Sequence, residues 1–294
     1  MQNKFLPIAF VLLTAFAGCE KDVFFDVPDA EPKIVVEGRI EAGQPPFVIL
    51  TRTSNYYGTT NINDLGNLVI NGAVVRVSDG TDTVTLTNIT FDSLGIELGF
   101  YTDPLFFTNP SLAFVGQPER SYTLWVEVGG QSVSAVTTIP ASYPLDSIWV
   151  MTDVKDDRPD LVRLMIRYTD PPSPGQYVRY FTQRDGEAFK PGLTSVFEDA
   201  LVNGTTFDFS LDRGYDQTDS IDFEEYGLFE RGDTITVKWC NIDKAHFDFW
   251  RTMEYEINQG GPYASPVKIE SNVVGGLGIW GGYNCSFKTV VVPE

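Results

Sequence analysis

Apolar and polar residues alternate with a period of two along much of this chain, and this periodicity constrains the fold more than any other feature. In the run 121–128, apolar residues occupy every second position from Tyr122 to Val128, as a half-buried strand requires. A second alternating run at 132–139 follows after two glycines, a spacing typical of a hairpin turn. The pattern therefore predicts a mostly β protein.

The strand-like runs fall into two groups, separated by a segment at 140–144 that is bracketed by two prolines. In the first group, the stretch 117–122 resembles the tyrosine corner of fibronectin-like sandwiches. We expect two β-sandwich domains of the immunoglobulin or fibronectin type. The first, N-terminal domain is predicted at 34–140 and the second, C-terminal β domain at 145–294.

One segment of the second domain departs from the β pattern. Phe247, Trp250 and Ile257 recur at helical spacing, and Asp243 precedes them at the position of an N-terminal cap. These signals predict one substantial helix near 243–258, lying over a sheet or closing one end of the second sandwich.

The first 18 residues have the features of a bacterial signal peptide. Lys4 precedes an apolar run that is too short to cross a bilayer, and small residues stand just before Cys19. We expect a lipoprotein signal peptide at 1–18, lipidation of Cys19, and an extended tether at 19–33. The alternative is an ordinary secretory signal in which Cys19 is incidental.

The remaining cysteines are Cys240 and Cys285, an even pair in a compartment that permits disulfides. They form a candidate disulfide, and two buried free thiols are the alternative. No Cys-x-x-Cys motif occurs, and His246 is the only histidine, so neither a metal site nor a cofactor is expected.

The charge balance restricts the partners and reactions that the chain can serve. Asp and Glu total 40 against 21 Lys and Arg, and the net charge of −19 argues against a nucleic-acid partner.

No Gly-x-Ser-x-Gly motif accompanies His246, so nucleophilic hydrolysis is not expected. A carboxylate pair for glycoside hydrolysis stays open, because such pairs need no sequence motif. The acidic segments 153–160 and 212–225 do not match a calcium loop and are interpreted as solvated loops.

Aromatic residues near the predicted loops are the candidate contacts for a ligand or partner: Tyr56, Tyr57 and Trp280, with Phe106 and Phe107 beside them. Trp280 stands in a glycine-rich run at 275–283. No Lys-Ser or Lys-Thr pair follows this run, so it is not a phosphate-binding loop. We expect these glycines to let the backbone pack closely against neighbouring side chains.

The residues Cys19-Glu20-Lys21-Asp22, the early β domain and the late run 263–283 together resemble a family of Bacteroidota outer-membrane lipoproteins. That family is described only as a domain of unknown function, and its members are often encoded beside TonB-dependent receptors. The resemblance implies a lipid-anchored protein of the outer membrane that faces the cell exterior. Glu20, Lys21 and Asp22 are similar to the export signal that carries such lipoproteins to the cell surface.

The expected function follows from this resemblance. The chain would be a non-enzymatic accessory or binding subunit of an outer-membrane complex, and its partner an outer-membrane β-barrel protein similar to a TonB-dependent receptor. The alternatives are a lipoprotein that binds a nutrient, either a glycan or a peptide, and a secreted hydrolase.

Overall fold

The computed structural model describes residues 31–54, 66–93, 95–152, 154–199, 204–216, 221–259, 265 and 267–294. The segment 32–294 forms one compact unit. Across the described ranges, no helix is long and apolar enough to cross a membrane.

The strands are β1 (Ile34–Glu41), β2 (Phe47–Arg52), β3 (Val74–Ser78), β4 (Thr83–Thr85), β5 (Thr87–Ser93), β6 (Ile96–Thr102), β7 (Arg120–Val128), β8 (Gln131–Ile139), β9 (Ser147–Met151), β10 (Leu161–Thr169), β11 (Tyr177–Arg184), β12 (Val196–Glu198), β13 (Thr206–Leu211), β14 (Leu228–Glu230), β15 (Thr234–Ile242), β16 (Val273–Val274) and β17 (Leu277–Val291).

The protein is mostly β, as the alternating pattern predicts. A large sheet has the strand order β12-β11-β15-β17-β1-β2-β6-β5. A smaller sheet has the order β16-β8-β7-β3-β4, and in a third sheet β10 pairs with β9, β13 and β14. A short helix, α1 (Leu105–Thr108), is followed by a 3-10 turn at Pro110–Leu112, and the long helix α2 spans Lys244–Asn258.

Strand β17 connects the two regions that the sequence suggests as separate domains. Its first half pairs with β1 in parallel, and its second half pairs with β15 in antiparallel orientation. The ranges 34–140 and 145–294 therefore contribute to one continuous sheet, and the segment between them does not divide the fold. We call the two regions the first and second lobes. Each lobe keeps a hydrophobic core of its own between the large sheet and one of the smaller sheets.

Both cores lie on the same face of the large sheet. Alternate residues of β17 point to opposite faces. Trp280 belongs to the core of the first lobe, whereas Tyr283 belongs to a third cluster that contains Phe247 of helix α2. The smaller sheets thus cover one face of the large sheet, and α2 covers part of the other. We call the remainder of this second face, which α2 leaves uncovered, the open face.

Two local features predicted from the sequence are confirmed. The side chain of Asp243 accepts a hydrogen bond from the backbone N–H of His246 at 2.9 Å and so caps α2. Asp243 also accepts from Thr137 Oγ1 at 2.6 Å, which ties the start of the helix to β8 of the first lobe. The Tyr122 hydroxyl accepts from the backbone N–H of Gln117 at 2.7 Å, the bond of a tyrosine corner.

Candidate functional site

Strand β1 supplies charged side chains to the open face. Its residues alternate between buried and more exposed positions along the strand, and Val36 and Ile40 belong to the core of the first lobe. Because the side-chain period of a strand is two, Glu37, Arg39 and Glu41 lie on the opposite face. The alternation in the sequence therefore places three charges in a row on the open face.

Two adjoining cavities lie on this face, with volumes of about 360 Å³ and 450 Å³. Arg39, Glu41 and Lys238 line both cavities, so we treat them as one open-face groove. The end near helix α2 is lined by Arg179, Phe181, His246, Trp250 and Tyr283. The other end is lined by Phe47, Phe100, Phe106, Phe107 and Phe287.

The centre of the groove combines an ion pair with exposed aromatic rings. Lys238 Nζ lies 2.6 Å from Glu41 Oε2. The Arg39 guanidinium carbon lies 4.3 Å from the centroid of the Phe47 ring, a cation–π contact. Among the described residues Arg39 has no salt-bridge partner, and it therefore presents a positive charge in a chain whose net charge is −19. The Phe287 ring, which is 54% exposed, lies 5.8 Å from Lys238 Nζ.

Arg179 is buried at the α2 end of the groove. Its Nε donates to Ser195 Oγ and its Nη1 to the Tyr283 hydroxyl, each at 3.1 Å. The guanidinium carbon lies 3.4 Å from the centroid of the Trp250 ring. Glu254 accepts hydrogen bonds from the backbone N–H and the hydroxyl of Ser195. Burial raises the pKa of Glu254, while the bonds from Ser195 and the charge of Arg179 act in the opposite direction.

His246 is a neutral packing residue beneath this cluster. It is 1% exposed, and its ring lies 4.4 Å from that of Tyr283 in an edge-to-face arrangement. Burial, together with the charge of Arg179, lowers the pKa of His246 to about 3. A side-chain carbon at Gly281 would lie 2.3 Å from His246 Cε1, so the ring fits only against glycine. This agrees with the expectation that glycines in the run 275–283 permit close packing.

The prediction that Trp280 contacts a ligand or partner is wrong. Trp280 is 0% exposed, and its indole Nε1–H donates to the backbone oxygen of Tyr122 at 3.0 Å. A side-chain carbon at Gly38 would lie 2.7 Å from the Trp280 ring, because the indole lies directly on β1. In contrast, Phe106 and Phe107 do line the groove, and Phe107 is 68% exposed.

Two tyrosines and the N-terminal motif cannot be placed by the structure. Tyr56, Tyr57, Cys19, Glu20, Lys21 and Asp22 lie outside the described residues, as do the signal peptide and most of the tether.

The structure brings the candidate disulfide pair together. Cys240 and Cys285 are direct partners on β15 and β17, with a Cα–Cα distance of 3.9 Å and an S–S distance of 2.02 Å. Both belong to the cluster that packs under helix α2, next to Phe247 and Trp250. The bond therefore joins two central strands of the large sheet below the helix.

The acidic loops pair with basic side chains. Arg158 bonds to both Asp160 and Glu225, and Lys155 Nζ lies 3.7 Å from Glu224. Over the described ranges, no group of His, Cys, Asp or Glu is arranged to hold a metal ion. Asp160, Glu224 and Glu225 thus belong to salt-bridged surface turns.

The residues at the centre of the groove are not among those singled out from the sequence. Strand alternation alone could have placed Glu37 and Arg39 on the polar face of β1, and Lys238 on the polar face of β15, but not the two strands in one sheet. Arg179 carries no such signal, because its burial depends on Trp250 of a helix that follows about 70 residues later in the chain.

The fold and the groove define a β-sandwich-rich protein with one open sheet face that carries aromatic and charged side chains. The chain belongs to the family described as Domain of unknown function (DUF4249), whose profile matches residues 20–289. A comparison with curated proteins finds no match.

Proposed function

We propose that this protein is a surface-exposed outer-membrane lipoprotein that acts as a non-enzymatic accessory or binding subunit of an outer-membrane receptor complex. The observation that carries the proposal is the open-face groove, in which Arg39 and Lys238 stand among exposed phenylalanines. Aromatic residues and arginine dominate the binding energy of protein interfaces. The groove therefore has the composition of a contact surface.

The hydrogen bonds near the groove favour binding over hydrolysis. The Ser195 hydroxyl is engaged by Glu254 and Arg179, and Ser195 is fully buried. His246 is neutral at physiological pH because its pKa is about 3. A serine nucleophile needs a histidine or other base within hydrogen-bond reach. Glu254 is within hydrogen-bond reach of the Ser195 hydroxyl, but Ser195 is 0% exposed, so a substrate in the groove cannot approach this pair.

A variant of the groove tests the contact surface. The double substitution Arg39→Glu and Phe287→Ala reverses one charge and removes one exposed ring without touching a core. We expect recovery of a large receptor protein, after affinity purification from detergent-solubilised outer membranes, to fall about tenfold or more.

The matched control exchanges the same residue types on other surfaces. Arg76→Glu with Phe223→Ala alters an arginine of β3 and a phenylalanine that is 76% exposed. This control should recover as much receptor as the unmodified chain. The proposal is wrong if the unmodified protein repeatedly purifies alone, or if the groove variant retains its partner.

Lipidation of Cys19 is tested separately. Cys19→Ser removes the thiol that would carry the lipid, so the protein should move from the membrane fraction to the soluble fraction. Immunoblotting of the two fractions measures the shift, and Cys240→Ser serves as the control that keeps Cys19. Unchanged retention of Cys19→Ser in the membrane would reject the anchor.

A second candidate is a nutrient-binding lipoprotein that captures a glycan or a peptide. It is supported by Phe106 and Phe107, whose rings line the groove and could stack on a sugar or an apolar side chain. Calorimetric titration with defined glycans and peptides separates the two candidates. Tight binding of one ligand by the isolated protein would favour nutrient binding.

A further inference from the structure

A separate cavity of about 280 Å³ lies in the second lobe, between the sheet formed around β10 and the large sheet. Its volume is far above the roughly 10–15 Å³ that one water molecule needs. Five aromatic side chains line it: Tyr168, Phe197, Phe207, Phe209 and Trp239. Neighbouring rings contact one another, with centroid distances of 5.3 Å for Tyr168 and Trp239 and 5.5 Å for Phe197 and Phe209. They form a continuous aromatic wall.

The charged residues of this cavity all carry the same sign. Asp170, Glu198 and Asp199 line it, and its lining contains no lysine, arginine or histidine. Asp170 is 3% exposed and Asp199 is 8% exposed. In the described part of the chain, neither of these two buried aspartates forms a salt bridge. The cavity thus offers negative charge without a cation of its own.

Each of the two aspartates accepts hydrogen bonds from loop backbone N–H groups at the mouth of the cavity, and each uses a single carboxylate oxygen to do so. Asp199 Oδ2 accepts from the backbone N–H groups of Gly175 and Gln176, at 2.8 and 3.1 Å. Asp170 Oδ2 accepts from Gly204 N–H at 3.2 Å. Burial and the charge of Asp199 raise the pKa of Asp170, so the two carboxylates repel one another. A cation placed between them and the rings would relieve this repulsion.

Three polar atoms of the lining have unused hydrogen-bonding capacity. The indole Nε1–H of Trp239, the side-chain oxygen Oε1 of Gln176 and the hydroxyl of Tyr168 are buried without a partner among the described residues. Trp239 is only 2% exposed. Buried donors and acceptors without partners are rare, because each costs free energy. A ligand that carries both an acceptor and a donor, such as a hydroxyl group, could satisfy them.

We propose that this cavity binds a small organic cation, an alkylated ammonium group attached to a short hydroxyl-bearing chain. The faces of aromatic rings attract cations, and carboxylates at the rim add to this attraction. An anionic ligand would face three like charges. A neutral sugar could stack on the rings and donate hydroxyl hydrogen bonds to the carboxylates, but it would leave their negative charge uncompensated. This site is independent of the open-face groove and of the proposed receptor.

Choline and its uncharged carbon isostere test the proposal on the unmodified protein. In the isostere a tert-butyl group replaces the trimethylammonium group, so shape is kept and charge is removed. Isothermal titration calorimetry should show choline binding at least about tenfold more tightly than the isostere. Equal or tighter binding of the isostere, tighter binding of glucose, or no binding of choline would each overturn the proposal.

Substitutions then locate the site. Asp199→Asn and Asp170→Asn keep an oxygen that accepts the loop hydrogen bonds but remove the charge. Each should weaken choline binding about fivefold or more and leave the isostere unchanged. Asp208→Asn is the matched control, because Asp208 lies on β13 between Phe207 and Phe209 but points away and pairs with Arg167 at 2.7 Å. Equal weakening by all three variants would place choline elsewhere.

Discussion

Replacing Trp280 by alanine should lower the free energy of unfolding by about 4 kcal/mol, since truncation of a fully buried tryptophan costs about 3–5 kcal/mol. Trp280 is 0% exposed in the core of the first lobe. The substitution also removes the donor that serves the Tyr122 backbone oxygen and leaves that oxygen without this bond. Urea unfolding followed by circular dichroism measures the loss.

Two further variants make this result interpretable. Trp280→Phe keeps most of the volume but loses the N–H group, so it should cost clearly less than the alanine variant. Trp125→Ala is the control at a partly solvent-facing position, because Trp125 is 40% exposed on β7, and it should cost about 1 kcal/mol or less. Similar losses for Trp280→Ala and Trp125→Ala would contradict a core role for Trp280.

Acidification should destabilise the protein through His246. The pKa of His246 falls from 6.5 to about 3 on folding, chiefly because of burial. Below pH 6.5 the unfolded chain takes up a proton that the folded protein does not, so the unfolded state gains stability as pH falls towards 3. This group alone should lower the free energy of unfolding by about 2 kcal/mol between pH 7 and pH 5.

The contribution of His246 is isolated by comparing the unmodified protein with His246→Gln. Burial raises the pKa values of Glu254, Asp170 and Asp212, so these groups act with the opposite sign and stabilise the folded state on acidification. They remain in both proteins and cancel in the difference. Urea titrations at the two pH values should show a smaller acid loss for His246→Gln. Equal losses in the two proteins would falsify the assignment.

Much of the secondary structure could be predicted because its signals are local. The cap at Asp243 and the apolar spacing that follows define α2, and its observed range of Lys244–Asn258 matches the prediction. The tyrosine corner at Tyr122 depends on only six residues. The alternation of apolar and polar residues along a strand is equally local. The mostly β class could therefore be recognised without knowing which strands pair with one another.

The arrangement of the sheets could not be predicted, because it depends on pairs that are distant in sequence. Strand β17 pairs with β1 across more than 200 residues, and no local pattern encodes that partner. The sequence makes Trp280 a candidate contact for a ligand or partner, because a tryptophan among glycines suits either a loop or a tightly packed strand. The position of Gly38 on β1, directly beneath the indole, decides between the two. The aromatic cavity likewise combines β10, β11, β12, β13 and β15.

The parallel pairing of β1 with β17 has a consequence for the order of folding. The first strand of the described chain acquires its central neighbour only from a segment that begins at Leu277. Trp280, which fills the core of the first lobe, arrives with that same segment. Contacts of such long sequence separation are formed slowly, because the intervening chain must be closed into a loop. The first lobe therefore cannot complete its core during synthesis until β17 is available.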